Sequence, residues 1–262
     1  MDNKRLVWGE RELSTAGVSN ALMESLWLLR AFGDEDGKFE KAVSERGGGK
    51  PIAYILGTQE FEGRIYRVNE SVLIPRQETM VLVQESLNLL KKMTSPKQVL
   101  DLGTGSGVVA ISLALEDPSA QISASDLSAT ALTLARENAE LHGALGKISF
   151  FQSDLLDSIP GKFDMIVSNP PYIKTNDIPQ LQRELHHEPL MALDGGADGL
   201  HMITKLAQAA LKYLNPRGFL IMEVGSSQSP NVTELLKNLG YANVRSSKDD
   251  AGMGRVVLGQ RI

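Results

Sequence analysis

The chain has no cysteine among its 262 residues. Disulfide frameworks, thiolate zinc sites and cysteine nucleophiles are excluded together, so any chemistry has to use other groups. No apolar run approaches the ~20 residues that span a bilayer. The opening stretch MDNKRLVWGERELS carries charge where a signal peptide needs apolar residues. The expectation is a cytoplasmic protein without membrane contact. A dense Lys/Arg block is also missing, and the formal net charge is −5. That balance disfavours the phosphate contacts of a duplex-binding surface, and no direct nucleic-acid partner is expected. Aromatics make up only 5%, with two tryptophans, Trp8 and Trp27, that read as core or domain-packing groups. His186 and His187 lack a carboxylate cluster at ligand spacing, which leaves them as a surface loop or helix end and the expected metal as none.

What is present suffices for a core: 42% of residues are hydrophobic and 23% charged, as in ordinary soluble globular proteins. Residues 1–60 read as a small helical domain. Leu22, Leu26 and Leu29 recur at three- and four-residue spacing, with Met23 and Trp27 beside them, after the cap candidate Ser19 and before a stop at Gly33. Pro51-Ile-Ala-Tyr-Ile-Leu56 follows with proline at a helix start. Within EFEGRIYRVNESVLIP, alternation on either side of Asn69-Glu70 predicts a β-hairpin, which makes residues 61–76 a linker. Residues 77–262 form the second domain, opening on an amphipathic helix over 78–92. After a break at Ser95-Pro96, strands at 99–102, 121–125, 148–152, 165–168 and 219–224 alternate with helices at 108–115, 128–142 and 200–213. Ser128 is the expected N-cap of the helix that Gly143 stops. Such alternation signals an α/β fold, a parallel sheet covered by helices on both faces. Segments 242–245 and 256–259 read as an antiparallel pair at one sheet edge.

Asp101-Leu-Gly-Thr-Gly-Ser-Gly107 directly follows the first sheet strand and opens a helix. Open α/β sheets bind nucleotide-like ligands at this place. Gly103, Gly105 and Gly107 permit sharp turns and close approach, Thr104 and Ser106 lie between them, and Asp101 can pair with a cationic amine. A bare glycine loop is equally often a tight turn. Two further strand-end acids favour a ligand: Asp126 can accept from ribose hydroxyls and Asp154 from an adenine amino group. The glycine spacing is not Gly-x-Gly-x-x-Gly, and no Gly-Lys-Ser/Thr is present, so pyrophosphate cofactors lose ground. S-adenosyl-L-methionine, with an ammonium and a ribose but no phosphate, matches a site built from acids.

Asn169-Pro-Pro-Tyr172 follows the fourth strand and so shares the sheet edge with the glycine loop. A planar nitrogen is a poor nucleophile because its lone pair is delocalised, so a site must hold its NH2 by the protons. Asn169 offers a side-chain oxygen and Pro170 a carbonyl, Pro171 fixes the turn, and Tyr172 can lie against a flat group. Consecutive prolines also make rigid loops for structural reasons alone. With the glycine loop and the acids nearby, catalysis by positioning is the preferred reading.

These residues resemble the release factor glutamine methyltransferase family. The likeness runs through Pro51-Ile-Ala-Tyr-Ile-Leu-Gly57, Glu60-Phe61 with Gly63, Ile74-Pro-Arg-Gln-Glu-Thr79, the glycine loop, Ser168-Asn-Pro-Pro-Tyr-Ile173, His187-Glu-Pro189, Gly195-Gly196 with Asp198-Gly-Leu200, and Asp250-Ala-Gly through Arg255. The resemblance implies a Rossmann-like class I methyltransferase domain with a seven-stranded sheet, joined by a β-hairpin to an N-terminal helical substrate-recognition domain. It implies that Gly103 to Gly107, Asp126 and Leu155 line the cofactor. Asn169 to Tyr172 would hold the glutamine of the Gly-Gly-Gln motif in a class 1 peptide-chain release factor, which is methylated on N5 to leave S-adenosyl-L-homocysteine. Arg76, Glu78 and Thr79 are expected to border the site. The family usually has proline where Gln77 stands and often an acid where Met80 stands.

Three alternatives are weighed beside this one. A ribosomal-protein glutamine would use the same chemistry. Amino-methylation of a nucleic-acid base would use a similar motif, but the acidic charge opposes it. A non-catalytic module would be expected to have lost Asn169 or the glycines, and neither is lost. A monomer is expected, since no zipper or self-complementary edge is visible.

Overall fold

The computed structural model describes residues 3–33, 35, 37–94 and 97–262; the Ser95-Pro96 break lies outside them. Four helices come first: α1 (Asn3–Thr15), α2 (Ala21–Phe32), α3 (Lys38–Gly47) and α4 (Ile52–Leu56). The first three close on Leu13, Leu28, Phe39 and Val43, a core separate from that of the sheet. The stripe expected on α2 is only partly buried: Leu29 faces the core and Leu26 is half-buried, but Leu22 faces out. The helix's buried face is Ala21, Glu24, Ser25, Leu28 and Leu29, because Glu24 accepts from the Arg46 Nε at 2.5 Å and Ser25 Oγ donates to the Leu6 carbonyl at 3.1 Å. Leu22, Met23 and Trp27 are consequently 48, 47 and 42% exposed, so Trp27 is not a core residue. Trp8 is half-buried and meets Phe39 edge-on, ring centroids 6.0 Å apart. Nor does Ser19 cap α2: the helix starts after Asn20, with no side-chain capping bond.

The hairpin is shorter and earlier than expected. β1 (Thr58–Phe61) pairs antiparallel with β2 (Arg64–Arg67), and the turn is Glu62-Gly63, with φ of 51° and 72°. Two central residues at positive φ give the backbone twist that a two-residue hairpin requires. Asn69 instead accepts from the Ser71 amide at 2.9 Å, an Asx turn that bends the chain without pairing it.

Beyond α5 (Thr79–Leu90) lie β3 (Lys97–Leu102), β4 (Ala120–Asp126), β5 (Ile148–Gln152), β6 (Phe163–Ser168), β7 (Leu214–Glu223), β8 (Ala242–Lys248) and β9 (Gly254–Gln260). They form a seven-stranded sheet in the order β5-β4-β3-β6-β7-β9-β8. The first five run parallel, and β9 is antiparallel to both β7 and β8. The C-terminal pair is therefore antiparallel as expected, with β8 outermost. α5, α6 (Val108–Glu116) and α7 (Ala129–Leu141) flank the sheet, and Leu82, Val83, Ile111 and Leu113 fill one core. After the single turn of α8 (Leu190–Leu193), α9 (His201–Tyr213) and α10 (Ser229–Asn238) cover a second core with Ile203, Leu206, Val232 and Leu236. Ser128 caps α7 as expected, its Oγ accepting from the Ala131 amide at 3.1 Å, and Gly143 leaves that helix at φ 67°. The chain places β4 and β5 on one side of β3 and β6 on the other. A crevice opens at such a reversal of strand order, at the carboxyl ends of the strands.

Candidate active site

A cleft of about 780 Å³ occupies this crevice. On its β3–β4 side the glycine loop is held by acids. The Asp101 carboxylate accepts from Thr104 Oγ1 at 2.6 Å and from the Ala110 amide at 3.1 Å. Burial, with Asp126 nearby, pushes the Asp101 carboxyl up to about 7. Asp126 accepts from the Gly105 amide and the Ser128 amide, both at 2.9 Å, so it ties the loop to the end of β4. Gly103 and Gly105 take φ of 73° and 54°, and a Cβ on either would meet nothing within 4 Å. Their open side is the cleft, which gives a ligand close access to backbone. Gly107 is different: a Cβ there would come within 3.1 Å of Ile111 and 3.2 Å of Ala135, so it serves helix packing and does not line the cleft. Thr104 and Ser106 line it while nearly buried. The exposed Asp154 and the half-buried Leu155 form the far wall. Leu155 sits at φ 46°, a costly conformation for a branched side chain that tends to mark ligand sites. Ser125 belongs to the cleft wall, with its Oγ buried and without a partner among the described residues. Acids and open glycines suit an adenosine-bearing cation. Among the described residues no group of three His, Cys, Asp or Glu side chains could hold a metal, and His186 and His187 lie exposed in a 3-10 turn.

On the β6 side, Asn169, Pro170 and Pro171 line the same cleft. Asn169 Nδ2 donates to Thr79 Oγ1 at 3.3 Å. Among the described residues no donor reaches Asn169 Oδ1 or the Pro170 carbonyl, so both stand ready as acceptors. Tyr172 does not line the cleft. Its ring packs against the second sheet core and its hydroxyl donates to Glu223 Oε1 at 3.5 Å; burial raises its pKa. Of the three expected border residues, Thr79 and Arg76 reach the cleft. Glu78 turns towards Arg255 at 3.7 Å instead. Arg76 donates to Glu188, which also accepts from the Ile74 amide at 3.1 Å.

The part that several residues play in holding these loops was not read from the sequence, although Gly195 stands among the residues that carry the family likeness. Gln228 Nε2 donates to the Tyr172 carbonyl at 2.9 Å and the Gly199 carbonyl at 3.2 Å, while its Oε1 accepts from the Gly225 amide at 2.9 Å. A Cβ on Gly195 would lie 2.8 Å from Tyr172 Cα and 2.9 Å from the Pro171 carbonyl, so only glycine lets that strand of loop press on the acceptor segment. Asn138, fully buried, accepts from the Arg67 amide at 2.7 Å and donates to the Ser106 carbonyl at 2.8 Å. It ties the hairpin to the glycine loop. Glu223 was the one with a signal to follow: it is an acid ending a strand, as are Asp101 and Asp126.

Residues 81–250 match the family model described as "Methyltransferase small domain". The chain is 40% identical to a release factor glutamine methyltransferase of Geobacter sulfurreducens over 98% of this chain and 95% of the relative. It is 43% identical to one of Neisseria gonorrhoeae, covering 84% of this chain and 80% of the relative. Among solved structures, a T. thermophilus 16S rRNA N2 G1207 methyltransferase in complex with AdoMet and guanosine shares the fold. Its TM-score is 0.56 at 18% identity, over 78% of this chain and 50% of that one.

Proposed function

We propose that this chain, which belongs to the release factor glutamine methyltransferase family, methylates the N5 amide nitrogen of the glutamine in the Gly-Gly-Gln motif of class 1 peptide-chain release factors. The observation that carries the reading is the pair of free acceptors, Asn169 Oδ1 and the Pro170 carbonyl, at the edge of an acid-lined cleft. S-adenosyl-L-methionine would supply an already activated methyl group and would be held by Asp101, the backbone from Gly103 to Ser106, Asp126 and the Asp154-Leu155 wall. Asn169 and Pro170 accept from the amide's N–H groups and aim its lone pair into the cleft. Those bonds strengthen as positive charge grows on nitrogen, so they favour the transition state over the ground state. The nitrogen then loses one proton to solvent.

In this reading residues 1–60 are the recognition domain, 61–76 the linker and 77–262 the methyltransferase domain. The exposed Leu22, Met23 and Trp27 face of α2 supports the recognition role. The protein is read as a cytoplasmic monomer without direct nucleic-acid contact; no helix among the described residues is long and apolar enough to cross a membrane. The test incubates the protein and methyl-labelled cofactor with a class 1 release factor, with its Gly-Gly-Gln→Gly-Gly-Ala variant, with ribosomal proteins and with nucleic acid. Label on the intact factor alone is expected. Label confined to ribosomal protein or to nucleic acid would overturn the reading.

A further inference from the structure

The acceptor pair functions only if Asn169 presents its oxygen. An amide can turn over with little change of shape, which would put a donor where the substrate also donates. Asn169 Nδ2 donates to Thr79 Oγ1 at 3.3 Å, and Thr79 Oγ1 in turn donates to Glu223 Oε2 at 2.8 Å. A hydroxyl has one proton. Once Thr79 commits it to a carboxylate, only lone pairs face Asn169, so the amide must point its NH2 at Thr79 and its oxygen elsewhere. We propose that Thr79 and Glu223 are positioning residues that fix the orientation of the Asn169 amide through this two-bond relay. The proposal rests on the reading of the site as an amide methyltransferase.

The surroundings of Glu223 fit such a role better than a role in stability. Glu223 is 1% exposed and Thr79 3%, and none of the ion pairs among the described residues includes Glu223. A buried carboxylate without a cation is costly. The groups facing it are Thr79 and Glu78 at the start of α5, Tyr172 from the acceptor loop and Arg255 from β9. Burial, aided by Glu78 and opposed by Thr79, Arg255 and Tyr172, pushes its carboxyl up to about 7. The relay then has a reversed form. A protonated Glu223 can donate to Thr79, which frees the Thr79 proton for Asn169 Oδ1 and turns the amide the wrong way.

The experiment measures single-turnover methylation of an intact release factor at saturating cofactor, from about pH 5.5 to 9 so that both protonation states are sampled. It compares wild type with Thr79→Val, Thr79→Ser and Glu223→Gln, and checks each by melting and by calorimetric cofactor binding. Thr79→Val keeps the shape but loses the hydroxyl, so kcat should fall roughly 100-fold, as for a misplaced reacting group, while cofactor affinity stays near wild type and melting drops modestly because the buried Glu223 loses a donor. Thr79→Ser should recover most of that loss. Glu223→Gln can offer its oxygen to Thr79 without titrating, so it should keep kcat within about tenfold and lose the acid limb near pH 7. Wild-type kcat in Thr79→Val, failure of Thr79→Ser to recover activity, or an unchanged acid limb in Glu223→Gln would each overturn the relay. A wild-type enzyme that transfers nothing to the factor would instead sink the functional reading beneath it.

Discussion

On the cofactor side of the cleft the polar contacts stay within the β3–α7 stretch of the chain: Asp101 to Thr104 and Ala110, Asp126 to Ser128 and Gly105, and Asn138 to Ser106 span 3, 9, 2, 21 and 32 positions. On the acceptor side, Asn169 to Thr79, Thr79 to Glu223 and Gln228 to Tyr172 span 90, 144 and 56. One wall is shaped by backbone dihedrals and neighbouring acids. The other is assembled from side chains that meet only after the sheet has closed. The first wall therefore depends on what the glycines permit, and the second on the whole sheet being in place.

Variants can separate the two walls. The largest expected effect is that of Asn169→Ala, which removes one acceptor and should lower single-turnover methylation about 1000-fold, with cofactor binding by calorimetry retained; a parallel collapse of binding would mean the walls are not separable. Next, Gly107→Ala should destabilise by about 3 kcal/mol, from positive φ and overpacking against Ala135. Gly105→Ala, facing open space, should cost only about 1 kcal/mol yet weaken cofactor binding more. Melting and calorimetry on both variants test that crossing of effects, and equal behaviour would erase the distinction between packing and ligand-facing glycines. Asp101→Asn comes third. The Asp101 carboxyl holds its proton up to about 7 when folded, against an ordinary value of 3.8, so its contribution to stability is full below the lower value and is lost as pH rises through the upper one. The variant should exceed wild type in urea stability at pH 8 by on the order of 2 kcal/mol and converge with it in acid. Curves that stay parallel would remove that charge from the account. Smallest is Gln228→Ala: loss of its bonds to the acceptor loop should lower kcat by about 5-fold, roughly 1 kcal/mol, and leave cofactor affinity alone.

The same contrast explains what could be read in advance. Strand and helix alternation, the cap at Ser128 and the glycine loop are local patterns, and the fold followed from them. Thr79 was placed near the site from its motif, and Glu223 carried only the local signal of an acid ending a strand; its pairing with Thr79 and the clamp by Gln228 could not be read because no periodicity links residues so far apart. α2 misled for a related reason. Apolar spacing predicts a buried stripe only when the polar residues on the opposite face have no buried partner, and Glu24 has Arg46. The hairpin turn was misplaced because Asn69-Glu70 looks like a strand reversal, whereas Glu62-Gly63 supplies the positive φ that the reversal needs.

The connection between β6 and α9 grips the molecule at several places. Arg183 donates to the Ala16 carbonyl at 2.8 Å and the Gly47 carbonyl at 3.0 Å, Glu184 meets Arg46 at 2.9 Å, and Glu188 holds the Ile74 amide. That one segment begins at the acceptor loop and is riveted to the helical bundle. It works as a fixed caliper: the span between the bundle's outer face and Asn169 is preset. A protein held on that face can reach the methylation point only if its glutamine projects by a matching length.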